Sequence, residues 1–313
     1  MWIWYFTIAS VGDIAVSAGK YTLEKWATLS SLPNALAIDI GTMRYKLYLR
    51  FFAPRVISLQ AGTYEVERDM ELSRVLTETL KSPKYTDLTI TILPGWNIYD
   101  IDSYLSEKNI IPTGSFLIAL RDHYDTFVKK YDFLEWQSSL EGFLYPDTYR
   151  ILQTADAYMI IDTLLAEWEK KIWESYRSLG GSAYQKLILA SIVEREERRS
   201  SEKAKVAGVL EKRVREWIPM WADATVCYGY AKTQKQCTPA FIGSVIGDKH
   251  PYNTRNKQGY IPSPISSISL DTWEATVSPE SSPYYYYLHD SEGQIHYGTT
   301  LSEHNANKQK YLQ

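Results

Sequence analysis

The hydrophobic periodicity of this 313-residue chain changes once, near residue 115, which requires two kinds of packing. Before that point the apolar residues come in short strand-helix units. Ala61-Gly62-Thr63-Tyr64-Glu65-Val66 reads as a turn into a strand, and Leu72, Val75, Leu76 and Leu80 follow at helical spacing. Leu88, Ile90 and Ile92 then alternate with Thr89 and Thr91. Pro94-Gly95 stops that strand, and Ile98, Ile101 and Leu105 give a second amphipathic helix. Beyond 115 the helices lengthen. Ala157, Ile160, Ile161, Leu164, Leu165, Trp168 and Ile172 form one stripe with Thr154 as its N-cap. A second helix runs from about Tyr184 to Glu197, and a third carries Val206, Ala207, Leu210, Val214 and Trp217 and ends before Pro219. The chain then becomes loop-rich through Pro239, Pro251, Pro262 and Pro264. It closes with a hairpin of residues 284–289 and 294–297 around Asp290-Ser291-Glu292-Gly293. The expected fold class is α+β: a small module of strand-helix units over residues 1–115, suited to binding, followed by a mixed α/β domain over 116–313.

Composition narrows the function classes. With 45% hydrophobic and 23% charged residues the chain is neither disordered nor a disulfide scaffold, and it is long enough for two cores. Its 34 basic and 37 acidic residues leave a net charge of −3, so no global positive field collects nucleic acid or anionic lipid. The one excess is aromatic: 25 Tyr, 10 Trp and 8 Phe. Such rings stack on sugars or bases while a hydroxyl or indole N–H makes a polar contact, although core filling accounts for most of them equally well. The apolar opening up to Ser10 is about half of the roughly 20 residues needed to span a bilayer. The first basic residue is Lys20, so a signal peptide's basic start is missing too. Residues 2–8 read as a strand, and if the protein is exported its targeting segment is expected upstream of Met1 or lost from it.

The sharpest local feature is Leu187-Ile188-Leu189-Ala190-Ser191-Ile192-Val193-Glu194-Arg195-Glu196. On a helix Leu187, Ala190 and Glu194 share one face, which aims the Glu194 carboxyl along an apolar stripe. Loss of hydration there should raise its pKa toward the range of a general acid. The competing reading is a helix-end glutamate paired with Arg195, Arg198 or Arg213. Three further carboxylates stand beside turn residues and hydroxyls, in Glu141-Gly142-Phe143-Leu144-Tyr145-Pro146-Asp147-Thr148-Tyr149 and in Ala222-Asp223-Ala224-Thr225. They resemble the wall of a polar cleft, and Asp147 and Asp223 serve equally well as capping residues. His-Glu-x-x-His, Cys-x-x-Cys, a phosphate-cradling glycine loop and Gly-x-Ser-x-Gly are all missing. The histidines 123, 250, 289, 296 and 304 lack metal-ligand spacing, so no metal is expected. Ile38-Asp39-Ile40-Gly41-Thr42 stands alone as a sugar-kinase-like loop, and a strand end followed by a turn explains it as well. Cys227 and Cys237 either close a small ring or remain thiols.

Taken together and in order, several segments resemble the endolytic murein transglycosylases, the MltG or YceG-like family. They are Gln60-Ala61-Gly62-Thr63-Tyr64, Pro94-Gly95-Trp96, the Glu141 to Tyr149 run, Ala190-Ser191-Ile192-Val193-Glu194-Arg195-Glu196 and Val206-Ala207-Gly208-Val209. Ala222-Asp223-Ala224-Thr225-Val226, Pro251-Tyr252-Asn253-Thr254 and Glu303-His304-Asn305 complete the series. The chain departs from the family in two places. Met220-Trp221 stands where a Leu-Gln is usual, which puts an indole in place of an amide that contacts sugar. Ser267-Ile268-Ser269 stands where Asn-Pro-Gly follows the Pro-Ile pair.

The resemblance implies a LysM-like module over 1–115, a YceG-like catalytic domain over 116–313, and a membrane anchor that this chain does not show. It implies internal cleavage of the MurNAc-GlcNAc bond in peptidoglycan strands at the extracytoplasmic face of the cell membrane. Glu194 falls at the family's catalytic glutamate, so the odds swing to the acid. The expected glycan contacts are Glu141, Tyr145, Asp147, Thr148, Trp221, Asp223, Thr225, Tyr252 and Asn253. No cofactor is needed. The partners implied are glycan strands and cell-wall synthesis proteins, with no nucleic acid. A lytic transglycosylase needs one carboxyl, because the C6 hydroxyl of the muramyl residue attacks from within the substrate and leaves a 1,6-anhydromuramyl end. The alternatives are a hydrolytic muramidase, with Glu141 or Asp223 as second carboxylate, and a wall-binding protein without catalysis.

Overall fold

A computed structural model describes residues 7–23, 27–52, 59, 62–81 and 87–312. Its contacts divide the chain into a smaller unit, Met1–Ile90 with Tyr149–Ala155, and a larger one, Thr91–Thr148 with Asp156–Gln313. The boundary expected near 115 therefore falls inside the larger unit. The second strand-helix unit is split, its strand counting with the smaller unit and its helix with the larger, where that helix packs on the next one.

The smaller unit includes β1 (Ala15–Val16), β2 (Gly19–Leu23), α1 (Thr42–Phe51), β3 (Gly62–Val66), β4 (Met70–Glu71), α2 (Leu72–Thr77) and most of β5 (Asp87–Thr91) and β6 (Thr148–Leu152). β2 and β3 run antiparallel with Tyr21 opposite Tyr64, β1 pairs with β4, and β5 lies beside β6. Leu72, Val75, Leu76 and Leu80 are all buried against Tyr64 and Val66, as their spacing predicts. Of the strand expected over residues 2–8, residues 2–6 lie outside the described ones, and Thr7 and Ile8 are helical. The reason is periodicity: Ile8 and Val11, three apart, both enter the core, and the Val11 amide bonds back to the Ile8 carbonyl at 3.1 Å.

The larger unit contains α3 (Ile98–Glu107), α4 (Ser115–Asp122), α5 (Tyr124–Lys130), α6 (Ala157–Trp168), α7 (Ala183–Glu196), α8 (Ser200–Arg215), α9 (Asp223–Gly229), α10 (Pro239–Val245) and α11 (Leu270–Val277). β7 (Tyr286–His289) and β8 (Ile295–Gly298) form the expected antiparallel hairpin, and α12 (Leu301–Tyr311) follows. Asp156 caps α6, its carboxylate accepting the Met159 amide at 2.8 Å, while Thr154 faces Thr63 instead. α6 continues through one π-helical turn, Glu169–Trp173, into Glu174–Ser178. Much of the aromatic surplus is spent here as core. Trp168 meets Phe133, Phe143 and Tyr176 at ring-centroid distances of 4.5, 4.9 and 5.4 Å, and Tyr176 meets Trp273 at 5.9 Å.

Val206, Ala207 and Leu210 bury the inner face of α8, but Trp217 does not extend it. The helix ends at Arg215, Trp217 takes a left-handed φ of 56° and is 69% exposed. The Ile218 amide closes back on the Arg213 carbonyl at 2.8 Å, so Met220 rather than Trp217 enters the core. Cys227 and Cys237 are joined as a disulfide with their Cα atoms 5.5 Å apart. No helix of the described residues is long and apolar enough to cross a membrane.

Gly208 of α8 lies directly against backbone. A Cβ there would stand 1.9 Å from the Glu280 carbonyl oxygen, and the Glu280 amide is itself bonded to the Ala204 carbonyl at 2.9 Å. Gly208→Ala is therefore expected to destabilise the larger unit by about 2 kcal/mol or more, despite the better helix propensity of alanine, because backbone has to move. Urea unfolding checks this, and an unchanged midpoint would mean the segment at Glu280 yields freely. Reduction of the Cys227–Cys237 bond, whose cysteines are 10 residues apart, is expected to lower stability by about 2 to 3 kcal/mol. Melting with and without a thiol reductant, against a Cys227→Ser/Cys237→Ser control, measures it.

Candidate active site

α7 is buried on all sides from Leu187 through Val193, so its far end is held rigidly by the core. Ser191 docks the following loop on it. The Ser191 hydroxyl donates to Ile188 O at 2.7 Å and accepts the Ile265 amide at 3.0 Å, while Ser191 O accepts the Ser266 hydroxyl at 3.0 Å. The same loop is stitched to residues 93–96: the Ser267 amide donates to Trp96 O at 2.8 Å, the Gly95 amide to Ser267 O at 3.1 Å, and the Ser267 hydroxyl to Leu93 O at 3.2 Å. Three pieces of chain thus converge on Glu194, one residue from the end of the buried run.

The Glu194 side chain is only 5% exposed, yet its surroundings are not the apolar stripe that helical position suggests. Its Oε1 accepts Lys203 Nζ at 3.1 Å, and its Oε2 accepts both the backbone amide and the hydroxyl of Ser269, at 2.8 and 2.5 Å. The partner is none of Arg195, Arg198 or Arg213. It is Lys203 of α8, 4% exposed, which also reaches Asp271 Oδ2 at 3.0 Å. Periodicity missed Lys203 because it sits on a different helix, and missed Ser269 and Asp271 because they come from a loop and from the first turn of α11.

Glu194, Lys203, Ser269 and Asp271 line a cleft of about 680 Å³, together with Pro94, Gly95, Trp96, Arg195, Arg198 and Gln234. Trp96 is backed by Tyr104 at 5.0 Å. Arg195 donates to Gly95 O at 3.1 Å and lies 4.0 Å from Asp100. Asp100 accepts the amides of Asn97 and Gln234, at 3.1 and 2.7 Å. Burial pushes the Asp100 carboxyl up and the Arg195 guanidinium down, each partly offset by the other. These contacts fix the turn at Gly95, whose φ is 81° and whose missing side chain leaves room for Arg195. Burial also raises the Asp271 carboxyl, but hydrogen bonds from Ser200, Ser269 and Lys203 outweigh it and bring the value down to about 2.

The nine residues expected to contact glycan lie outside this lining. Tyr145 is buried, and its hydroxyl meets the Leu270 amide at the start of α11. Asp147 and Thr148 are exposed, the first accepting the Thr148 amide at 2.7 Å and the second facing Thr91 at 3.0 Å. Asp223 forms a two-nitrogen contact with Arg255 at 2.5 and 2.7 Å. Thr225 is fully buried between Ala222 O and Thr254, and Asn253, also buried, ties the carbonyls of Ile246 and Asp248. Tyr252 bonds Ser263 at 2.7 Å. Trp221 is stacked on Tyr286 at 5.8 Å with the Arg213 guanidinium 5.0 Å from its ring. Glu141 is 1% exposed, and its Oε2 accepts the Ile98 amide at 3.0 Å. Among the described residues no three His, Cys, Asp or Glu side chains gather as metal ligands.

A model of the YceG-like family matches residues 37–310. The chain is 25% identical over 269 residues to the endolytic murein transglycosylase of Bacillus subtilis strain 168, covering 81% of this chain and 73% of that protein. It is 25% identical over 326 residues to the endolytic murein transglycosylase of Streptococcus pneumoniae serotype 2, covering 92% of this chain but only 59% of the relative. The crystal structure of a YceG-like protein of Listeria monocytogenes superposes with a TM-score of 0.60 at 21% identity, over 93% of this chain and 99% of that one, and shares the fold.

Burial pushes the Glu141 carboxyl from its ordinary 4.5 up to about 8. Between those pH values the folded chain holds a proton that the unfolded chain has released. Stability from this group is therefore lost as pH rises from about 4.5 to about 8. Glu141→Gln keeps the acceptor for the Ile98 amide and removes the titration. Its melting temperature relative to wild type is expected to climb between pH 5 and pH 8.5; parallel curves would show that Glu141 ionises without cost.

Proposed function

The chain belongs to the YceG-like family, and from that premise we propose that it is a lytic transglycosylase that cuts peptidoglycan glycan strands internally at the MurNAc-GlcNAc bond. The observation that carries this reading is Glu194, a carboxyl buried at the edge of an open cleft and held by one ammonium and two donors of Ser269. The relatives named endolytic murein transglycosylases support the substrate class. In the proposed reaction protonated Glu194 gives its proton to the glycosidic oxygen as the C1–O bond breaks. The muramyl C6 hydroxyl then forms the new bond to C1 and returns its proton to the carboxylate, so the enzyme ends as it began and the product is a 1,6-anhydromuramyl end. Lys203 and the Ser269 donors stabilise the carboxylate between the two transfers. Trp96 offers the cleft an aromatic surface of the kind that stacks on a sugar. Exposed Asp147 and Thr148 and half-buried Trp221 are proposed contacts for a strand continuing beyond the cleft.

A hydrolytic muramidase requires a second working carboxylate. Glu141 and Asp223 do not line the cleft, and Asp271, which does, is committed to Ser200 at 2.6 Å and to Lys203. A carboxylate with a pKa of about 2 is too weak a base for that task. Because glycan strands lie outside the cytoplasm, the proposed working place is the extracytoplasmic face of the membrane, and the disulfide suits an oxidising compartment.

Glu194→Gln is expected to lower turnover of purified sacculi by about 10²- to 10⁴-fold while leaving the melting curve near wild type, since the amide keeps the shape without the transferable proton. Mass spectrometry of the products separates the readings. Fragments one water lighter than the hydrolytic products support the transglycosylase; wild-type fragments of hydrolytic mass, or wild-type turnover by the variant, would sink it.

A further inference from the structure

Among the charged side chains lining the cleft, one has no counter-charge. Lys203 is shared by Glu194 and Asp271, and Arg195 is offset by Asp100 and anchored on Gly95 O. Arg198, on the exposed segment after α7, lines the same cleft and has no carboxylate or carbonyl partner among the described residues. The acids beside it in sequence are turned elsewhere: Glu196 accepts the Tyr287 hydroxyl at 2.9 Å, and Glu197 binds His289 at 3.0 Å and the Arg199 amide at 2.8 Å. Arg199 itself points to Gly293 O. When Glu194 carries the proton it is to donate, Lys203 still has Asp271, and the Arg198 guanidinium is the surplus positive charge in the cleft.

We propose that Arg198 is a substrate-binding residue that takes a carboxylate of the glycan, carried on or next to the muramyl residue whose bond Glu194 protonates; this rests on the transglycosylase reading. A guanidinium matches a carboxylate through two parallel hydrogen bonds, and one left unpaired beside a reacting site favours a substrate that bears that group. Muramyl residues carry one in either of two forms. Where the stem peptide has been removed, the lactyl group ends in a free carboxylate; where the stem is attached, the lactyl carbonyl is an amide and the peptide supplies carboxylates of its own. Neutral N-acetylglucosamine oligomers have neither.

The test uses the full chain carrying Glu194→Gln, so that ligands are bound and not consumed, with titration calorimetry at low and moderate salt. The probes are glycan fragments with stems, the same fragments stripped of stems, stripped fragments with the lactyl carboxyl converted to its methyl ester, and a neutral chitin oligomer. The carboxylate-bearing fragments are expected to bind about 10- to 100-fold more tightly than the ester or the chitin oligomer, with the advantage shrinking as salt rises. Adding Arg198→Gln should erase that advantage without changing the affinity for the ester, and Arg198→Lys should restore part of it. An advantage confined to stemmed fragments assigns the carboxylate to the peptide, and one confined to stripped fragments assigns it to the lactyl group. The proposal is overturned if the carboxylate-to-ester ratio is the same with arginine or glutamine at 198, or if no probe binds more tightly than chitin. Failure of the underlying reading is separable: wild-type protein would then release no anhydro ends from the stemmed strands, whatever the binding ratios.

Discussion

A single buried ammonium organises the candidate site. Lys203 Nζ stands between Glu194 and Asp271, so α7, α8 and α11 each contribute one charged group to a cluster whose Glu194 and Lys203 are nearly closed to water while Asp271 is exposed to the cleft. Removing Lys203 would leave the buried Glu194 carboxylate with no counter-charge, a cost on the order of several kcal/mol, whereas loss of either acid leaves Lys203 paired with the other. The three helices pack directly on one another, and Gly208 lets the chain at Glu280 lie against α8. Packing and charge therefore place the same groups together: the core positions the helices, and the ion cluster fixes which side chains meet at their ends.

Small polar residues finish the job that helices cannot. Ser191, Ser266 and Ser267 use hydroxyls and backbone groups to hold an irregular loop between α7 and the turn at Gly95. That loop satisfies its own polar groups while bringing Ser269 onto Glu194. Ser269, where the resemblance places a glycine, supplies a hydroxyl that glycine would lack. The Glu194 carboxyl thus has a third donor beside Lys203 and the Ser269 amide.

Some of this was readable from residue order alone. The alternation at residues 88–92, the spacing of Leu72, Val75, Leu76 and Leu80, and the hairpin turn at residues 290–293 are local patterns whose period states the element type. The ordered segments from Gln60 to Asn305 pointed to the family, and helical position pointed to Glu194. What surrounds Glu194 was not legible. An i, i+3, i+7 argument sees one helix, whereas Lys203, Ser269 and Asp271 arrive from 9, 75 and 77 residues further along the chain.

Sequence by itself therefore determined most kinds of element and the family, and singled out Glu194 as the candidate carboxyl, because those readings depend on interactions between near neighbours and on an ordered series of motifs. Only the tertiary structure decided which groups face one another. Trp217, apolar and in phase with α8, turns outward because the helix ends two residues earlier at Arg215 and the Ile218 amide closes on Arg213 O. The Asp223 carboxylate is committed to Arg255, the Thr225 hydroxyl and the Asn253 amide make internal hydrogen bonds, and Arg198 is left without a partner among the described residues. Whether a polar side chain is committed or available depends on partners brought together by packing, and helical or strand period carries no information about them.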